Sequence, residues 1–491
     1  MANLTILQGV VLAGLCAACW PVSTALLCLN YVILAISCRK ALRALVRRMP
    51  GFKARNVLIT GSSPYALRLA RAFHETGHHV SLAATQTSLL PLHVRWSVAV
   101  RKYIQIKHTP TIESYSEYAQ ELLTIIQKEA VELWIDCSKD TPALVLAQAK
   151  SIITQKTDCV CFVPDTINAM ICSKPSTFLK FAADNGLPVP ESYEVKTRNE
   201  IHKILHQSNG KRKYILSDGD TNGTVTPRSS TLLPRRTLSQ TYDEVSRVKI
   251  LKNSSLRLDQ TPEGSDLYRS TAIIVNGKVK TFVACALTDS RVSTIVNPSS
   301  ALNIAIMHFV SAFATKLDSY SGHLTIDFAA DERPNVQAVE KRILPMAGRA
   351  TIDAPILLFT GLQGSIALVR GYVSVFGRSA NGFISGDDEI STPVIQPGHE
   401  RGVYSFGSAL YTLLLLPMLD LLTLRTNLFY VLGAAIAFVK HFSFWQEALY
   451  DFKDPLPSWY FYQVYVPARL VFSVLTGTMR NLTTELAKLM A

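Results

Sequence analysis

The chain has 491 residues, which is enough for about three domains of ordinary size. Lysine and arginine outnumber aspartate and glutamate by 50 to 37, but no long basic run is interleaved with aromatic side chains, so the composition argues against a nucleic-acid groove. Hydrophobic residues make up 48% of the chain, a high share for a wholly soluble protein, and the excess lies at its two ends.

The first predicted element is an apolar helix. Residues 6–36 carry no charged side chain, and a helix needs roughly 20 apolar residues to cross a bilayer. The segment that follows is rich in arginine and lysine, which by the positive-inside rule places the rest of the chain in the cytosol. We therefore expect a transmembrane anchor over residues 1–38 and a basic juxtamembrane segment over 39–55. Pro21 allows a kink or a tight helical hairpin, and a cleaved signal or a buried core helix are the other interpretations.

A strand–turn–helix–strand pattern opens the next predicted unit. Apolar residues at 57–59 lead to Gly61, and a helical stripe and a second strand follow. Further helix and strand patterns continue the series, so we expect a Rossmann-like domain over 56–165. The turn at Gly61 reads Gly-Ser-Ser-Pro-Tyr-Ala and lacks the Gly-x-Gly-x-x-Gly spacing, so a dinucleotide-dependent oxidoreductase rests on this one glycine.

The middle of the chain predicts a helix and then two lobes rich in strands. Residues 164–193 read as a loop, an amphipathic helix with Lys174 near its start, and a Gly-Leu-Pro-Val-Pro exit. Residues 194–258 predict a small lobe with a polar loop. Beyond it, Asn276-Gly277 joins two alternating runs and predicts a β-hairpin. The segments LTIDF and AVEKR predict a second strand pair.

The C-terminal part is again apolar. Residues 409–439 hold two hydrophobic runs interrupted by Pro417, Asp420 and Arg425, and each run is too short to span a bilayer as a straight helix. Many aromatic side chains follow, as is typical of a headgroup layer. We expect a membrane-associated, aromatic-rich helical tail over 400–475. The alternative is a hydrophobic helical cap packed on the soluble domains.

The order of these parts resembles a set of fungal membrane-anchored ATP-grasp proteins that are similar to the ATP-grasp lobes of carbamoyl-phosphate synthase. The segments that carry the resemblance are SKPSTFLKFAADNGLPVP, GHLTIDF, AVEKR and HFSFWQEALYDFKDPLPSWYFYQVYVPARL. The resemblance covers about residues 50–475. It implies an α/β fold in which a Rossmann-like pre-ATP-grasp domain precedes an ATP-grasp module of two α+β lobes over 166–370. An N-terminal transmembrane segment and a hydrophobic helical C-terminal region flank these domains.

The resemblance also implies an activity. Such proteins are ATP-dependent carboxylate–amine ligases of secondary metabolism, in which a carboxylate becomes an acyl phosphate that an amine attacks. The implied cofactors are ATP and Mg²⁺. The implied partners are small-molecule acid and amine substrates, membrane lipid and, as a further option, other pathway enzymes, with no nucleic acid. The catalytic domain is expected to face the cytosol.

On the nucleotide side, the resemblance assigns four residues to cofactor binding. Lys174 corresponds to the first phosphate-binding lysine of the family, although a solvated helix lysine is an alternative interpretation. Ser217 stands where the family has a second lysine, and Asp218 follows it, so this position departs from the pattern. Asp259 and Gln260 correspond to the hinge that holds adenine and ribose.

On the metal side, Asp327 and Glu340 correspond to the two carboxylates that bind Mg²⁺ in the family. Arg342 and Leu344 replace the family's asparagine and arginine, and an arginine cannot ligate Mg²⁺. We therefore assign catalytic charge to Arg342 and Arg349, with an ion pair between the carboxylates and Arg342 as the alternative. These departures leave a second hypothesis, a catalytically degenerate ATP-grasp scaffold or regulatory protein at a membrane.

Overall fold

A computed structural model of the protein describes twelve stretches of the chain. They are residues 2–36, 52–85, 90–138, 141–208, 213–218, 231–248, 256–261, 266–287, 293–332, 341–377, 396–397 and 402–476.

The N-terminal apolar run is one continuous helix, α1 (Ala2–Ile36), with Pro21 inside it. The tight-hairpin alternative is therefore not what the structure contains. Within α1, Ala18–Ile36 is long and apolar enough to cross a bilayer by length and composition, and little of it is buried. One such helix near the N-terminus is also what a signal sequence or a core helix can give, so the anchor stays a prediction.

The first domain is built on a five-stranded parallel sheet in the order β3-β2-β1-β4-β5. The strands are β1 (Asn56–Thr60), β2 (His79–Thr85), β3 (Lys102–Ile106), β4 (Leu133–Asp136) and β5 (Val160–Phe162), and the helices are α2 (Pro64–Glu75), α3 (Tyr115–Lys128) and α4 (Ala143–Lys156). Helix α2 packs on one face of the sheet, and α3 and α4 pack on the other. Because both faces are covered, successive β1 residues Leu58 and Ile59 are buried on opposite sides. The Rossmann-like arrangement expected from the sequence is confirmed.

The turn after β1 requires a glycine at position 61 because of close backbone packing, and this requirement does not involve a nucleotide. Its φ is +114°, and a Cβ at this position would lie 2.8 Å from the backbone carbonyl carbon of Cys137. Ser63 reinforces the same contact, since its hydroxyl donates to the Cys137 carbonyl at 2.9 Å. The glycine thus allows the loops after β1 and β4 to approach each other.

The small lobe is a four-stranded antiparallel sheet in the order β6-β9-β7-β8. Its strands are β6 (Ser192–Val195), β7 (Lys213–Asp218), β8 (Thr231–Leu233) and β9 (Leu256–Thr261). Two short helices, α5 (Thr166–Ile171) and α6 (Pro175–Asp184), lead into it, and α7 (Arg198–Gln207) and α8 (Leu238–Arg247) accompany its strands. Buried residues of these strands and helices, among them Tyr214 and Leu258, form a core of their own.

The large lobe is a seven-stranded sheet in the order β14-β13-β10-β11-β12-β15-β16. Its strands are β10 (Asp266–Val275), β11 (Lys278–Leu287), β12 (Ser293–Ile295), β13 (Gly322–Glu332), β14 (Lys341–Arg349), β15 (Gly402–Tyr404) and β16 (Gln446–Glu447). Helix α9 (Ala301–Lys316) covers one face and α10 (Gly361–Val373) the other. The predicted hairpin is confirmed, with Asn276 and Gly277 at φ of 50° and 72° between β10 and β11.

The C-terminal region is helical and returns to the large lobe through β15 and β16. Its helices are α11 (Phe406–Ala409), α12 (Leu416–Leu422), α13 (Leu428–Phe444), α14 (Leu456–Tyr460) and α15 (Val466–Leu475), with π-helical turns at Leu410–Leu415 and Phe461–Tyr465. The outer side of α12 and α13 is strongly apolar and exposed, for example at Leu422 and Phe429. Such a surface is typical of membrane contact.

One hydrophobic core unites three of these parts, and we call it the shared core. It contains Phe73 of the first domain, Ile273 and Val283 of the large lobe, and Phe461 and Tyr465 of the C-terminal region. The inner side of the C-terminal region therefore packs as a cap, while its outer side stays exposed. The cap interpretation of the tail describes its inner side, and membrane association of its outer side stays a prediction.

A buried ion pair fastens the same junction. Arg71 of α2 bonds the Asp454 carboxylate at 2.9 Å, and only 6% and 3% of the two side chains are exposed. Arg71 also donates to the backbone carbonyls of Leu449 and Asp454. Ser97 and the backbone N–H of Val98 complete the bonding of the carboxylate. Each polar group of this pair is satisfied, as its depth requires.

We expect Gly61→Ala to destabilise the chain more than Gly186→Ala does. Both glycines have positive φ, but a Cβ at Gly186 has no atom within 4 Å, so that variant reports backbone strain of roughly 1 kcal/mol. The added clash with Cys137 should bring the Gly61 loss to about 3 kcal/mol or more. Thermal denaturation in detergent measures both variants, and equal losses would contradict the close contact.

Candidate functional site

The large-lobe sheet carries a cluster of four charged side chains, Arg269, Asp327, Arg349 and Asp353. In the register of β10 and β13, Arg269 lies directly opposite Asp327. Its guanidinium bonds both oxygens of Asp327, at 2.6 and 3.1 Å, and Asp353 at 2.9 Å. Arg349 bonds Asp327 at 2.9 Å from the neighbouring strand. The cluster thus balances two positive and two negative charges.

The position of the cluster strengthens these bonds. Asp327 is 2% exposed. Burial opposes the charge of Arg269, but Asp353 and Asp327 together raise its pKa. The phenol of Tyr65 reaches Asp353 at 3.2 Å from helix α2, and burial followed by the charge of Asp353 raises the tyrosine pKa. The cluster therefore links the large lobe to the first domain.

The described residues of this cluster do not fit a Mg²⁺ site. Both oxygens of Asp327 already accept hydrogen bonds from guanidinium groups, which compete with a cation for the same lone pairs. Among the described residues, no group of three or more histidine, cysteine or acidic side chains could hold a metal ion. The second expected ligand, Glu340, lies outside the described residues, and so does the side chain of Arg342. The assignments of Asp327 and Glu340 to metal and of Arg342 and Arg349 to catalysis stay predictions.

Lys174 lies immediately before α6, where it is the N-cap residue, and it is exposed. The helix is held by Phe178, which packs against β14 so closely that a Cβ on Gly348 would lie 2.3 Å from its ring. Phe178 belongs to the core on the α9 side of the sheet. The cluster around Asp327 lies on the other face, because Asp327 alternates with the α9-facing Ile326. The sheet thus stands between the body of α6 and Asp327.

The predicted hinge residues Asp259 and Gln260 lie on β9, which pairs with β6 on one side and β7 on the other. Asp259 accepts from Arg257 at 2.6 Å and from Ser192 at 2.7 Å. Gln260 exchanges two bonds with the backbone of Glu191, one from each direction. In the structure, the side chains of Asp259 and Gln260 thus form hydrogen bonds within the small lobe. Their role toward a nucleotide stays a prediction.

Ser217 lies on β7, where its backbone pairs with Arg257, and its side chain is outside the described part. The sequence reasoning missed Arg269 and Asp353 altogether. An arginine inside the otherwise weakly charged strand LYRSTAIIV was the available signal, since a buried charge needs a partner. The strand register that makes Asp327 this partner could not be obtained from the sequence.

A second polar site lies at the carboxyl ends of the parallel strands in the first domain, where ligands bind in many such sheets. Asp136 ends β4, accepts from Thr60 at 2.6 Å, and accepts from the hydroxyl and the N–H of Ser138. Burial raises its pKa to about 6, although these hydrogen bonds oppose the shift. The carboxyl is thus poised to change charge near neutral pH.

Comparisons with known proteins give similarities of fold. No family model matches the chain, and no curated protein does. Among solved structures, an ADP complex of N5-carboxyaminoimidazole ribonucleotide synthetase shares 11% identity at a TM-score of 0.48, covering 72% of this chain and 81% of the other. N5-carboxyaminoimidazole synthetase from Staphylococcus aureus shares 10% identity at a TM-score of 0.45, covering 65% of this chain and 78% of the other. L-amino acid ligase from Bacillus licheniformis shares 12% identity at a TM-score of 0.41, covering 62% of this chain and 68% of the other.

At these identities and scores, the likeness carries no conclusion about activity. The fold class rests on the structure itself, which contains a parallel-sheet domain, a small antiparallel lobe and a large sheet lobe in that chain order. An apolar N-terminal helix and a hydrophobic helical C-terminal region flank them. The α/β architecture expected from the sequence is confirmed.

We expect Arg269→Met to lower the free energy of unfolding by about 3 kcal/mol. The substitution leaves buried Asp327 with Arg349 alone and removes the bonded guanidinium from Asp353. Arg235→Met is the matched control, because its pair with Glu244 is much more exposed and should cost less than about 1 kcal/mol. Denaturant unfolding in detergent, followed by circular dichroism, compares the two. A loss no larger than that of the control would show that the cluster does not stabilise the lobe.

We expect Asp136→Asn to change how stability depends on pH. The folded carboxyl has a pKa of about 6 against an ordinary 3.8, so the native state holds the proton more tightly than the unfolded chain does. Its stabilising contribution is complete below the ordinary pKa and is lost as pH rises through 6, a change of roughly 3 kcal/mol. Because the asparagine does not titrate, the stability of the variant minus that of the wild type should rise by about 2.4 kcal/mol from pH 4 to pH 7. A constant difference across this range would refute the raised pKa.

Proposed function

We propose that the chain is an ATP-dependent carboxylate–amine ligase attached to a membrane. The observation that carries the proposal is the succession of a parallel-sheet domain, a small antiparallel lobe and a seven-stranded lobe, with Lys174 at the start of the helix that leads into the lobes. This is the order of parts that the ATP-grasp resemblance requires. The assignment of residues 166–370 to the ATP-grasp module belongs to the proposal.

The finer parts of the proposal rest on the sequence resemblance. They are ATP and Mg²⁺ as cofactors, a small acid and an amine as substrates, and a place in a fungal secondary-metabolite pathway. Other enzymes of the pathway would be partners at the same membrane. The apolar helix α1 supports the membrane attachment, and the cytosolic side follows from the basic segment after it.

A second candidate function is a degenerate ATP-grasp scaffold or regulatory protein. A specific observation favours it, namely that Arg269 and Arg349 bond both oxygens of Asp327, where the family is expected to bind metal. Ser217 in place of a lysine adds to this argument, because a hydroxyl does not carry the charge that faces a phosphate. The two candidates differ in turnover and not in fold.

We expect Lys174→Ala to weaken ATP binding about tenfold, because it removes the cation assigned to the phosphates. Lys180→Ala is the matched control, since this lysine is exposed on the same helix, one and a half turns further on. Calorimetry of the detergent-solubilised full chain measures ATP affinity with and without Mg²⁺, and ADP release with mixed acids and amines measures turnover.

The outcomes separate the candidates. Binding that depends on Mg²⁺ and on Lys174, together with ADP release that Glu340→Gln abolishes, supports the ligase. Binding without ADP release from any acid and amine pair supports the scaffold. Absence of ATP binding, or equal binding by both lysine variants, contradicts the nucleotide assignment of Lys174.

A further inference from the structure

A large cavity lies between α1, the C-terminal region and the end of helix α2, and we call it the membrane-side cavity. Its volume is about 1450 Å³, which exceeds the range of ordinary small-molecule sites. One wall is the face of α1 that includes Leu26 and Asn30, and the opposite wall includes Trp459 and Gln463. Arg68 and Glu75 of α2 lie on the side of the first domain. Of the described residues assigned to nucleotide or metal, Lys174, Asp259, Gln260 and Asp327 are not part of its lining.

The mouth of the cavity belongs to the apolar surface of the molecule. Val22, Leu26 and Leu29 line the cavity, yet each is more than half exposed. Phe442 and Phe444 of α13 line it as well and are also exposed. Because α1 is the helix that could cross a bilayer, these side chains would contact lipid. A molecule dissolved in the bilayer would therefore reach the cavity without passing through water.

Charged side chains on the cavity wall are already satisfied by the protein. Lys453 forms an ion pair with Glu75. Arg68 donates to a backbone carbonyl at 2.7 Å. Glu447 accepts from the hydroxyl of Tyr462 at 2.7 Å and from three backbone N–H groups. A charged ligand would have to displace one of these internal bonds.

Three residues of the same wall are in the opposite condition. Each carries an uncharged polar atom that water cannot touch, so a ligand would bond it only after the side chain turns toward the cavity. The carbonyl oxygens of Asn30 and Gln463 and the indole N–H of Trp459 are buried and have no hydrogen-bond partner among the described residues. Asn30 is 6% exposed, and its amide N–H₂ is held by the hydroxyl of Tyr450 at 3.0 Å. Trp459 and Gln463 lie one helical turn apart on the same helical stretch. Such atoms are costly unless something bonds them.

We propose that the membrane-side cavity binds an uncharged, long-chain amphiphile taken from the bilayer, with hydroxyl groups as its polar part. Two unpaired acceptors and one unpaired donor match hydroxyls, which both donate and accept. The apolar walls and the volume match a hydrocarbon chain. Monoacylglycerol is the simplest molecule of this chemistry.

The test uses a brominated monoacylglycerol, with a brominated fatty acid and a brominated alkylamine of the same chain as charged comparisons. Bromine quenches tryptophan fluorescence on contact, and Trp445 and Trp459 line the cavity. The full chain in detergent, without ATP, should show saturable quenching by the monoacylglycerol at a concentration at least tenfold lower than by either charged probe. The assay does not depend on the proposed ligase activity.

Asn30→Leu and Gln463→Leu should each raise the half-saturating concentration about fivefold, the worth of one neutral hydrogen bond. Gln240→Leu makes the same chemical change at an exposed position on α8 and should leave it unaltered. The probe should also raise the thermal midpoint of the wild type more than that of either cavity variant, which checks that the variants are folded.

Two results would overturn the proposal. Quenching that is equal for the three probes, or that neither cavity variant changes, would reflect partitioning of the chains into detergent and apolar surface alone. No saturable quenching by any probe would show that the cavity is not a ligand site.

Discussion

The ion pair between Arg71 and Asp454 is the constraint on which the arrangement of the whole chain depends. It joins helix α2 of the first domain to a residue 383 positions further on, next to Leu449 of the shared core. With both partners buried and fully hydrogen-bonded, the geometry is specific in a way that apolar contact alone is not. It holds the C-terminal region against the first domain, and the membrane-side cavity lies between these two parts and α1.

Much of the fold could be predicted from local sequence signals. The β10–β11 hairpin follows from Asn276-Gly277, and the parallel sheet follows from alternating strand and helix patterns. The single helix α1 and the two helical runs of the tail follow from their apolar composition. The return of the tail to the large sheet as β15 and β16 could not be predicted, because such short strands carry no periodic pattern.

The candidate site was less accessible from sequence because it depends on register. Asp327 was chosen by its position in a motif and Arg349 as a compensating source of positive charge, and the structure brings them together within 2.9 Å. Arg269 and Asp353 come from a distant strand and a loop, and only the pairing of β10 with β13 places Arg269 opposite Asp327. Of the nucleotide and metal assignments, none is tested by the arrangement. The geometry does show which internal bonds a ligand would have to break.

The two polar regions of the protein therefore differ in kind. Around Asp327 each charge has a partner of opposite sign, so a ligand must compete with arginines already in place. In the membrane-side cavity Lys453 is paired with Glu75, and Arg68 and Glu447 are hydrogen-bonded to neutral groups of the protein. The neutral acceptors of Asn30 and Gln463 have no partner among the described residues. The unpartnered neutral groups in the cavity favour an uncharged ligand with hydroxyl groups. At Asp327 a charged ligand could bind only if the ion pairs of the cluster rearrange.

The shared core also limits how the chain can be divided for study. Its C-terminal members Phe461 and Tyr465 belong to one core with Phe73 and Ile273, so the inner side of the hydrophobic tail is part of the same packed unit as the first domain and the large lobe. A shortened protein that stops before residue 402 would lose Asp454 and two strands of the large sheet. It would keep Arg71 without its counter-ion and an uncovered apolar face. Aggregation of such a fragment would reflect this loss and would say nothing about whether the intact chain enters a bilayer.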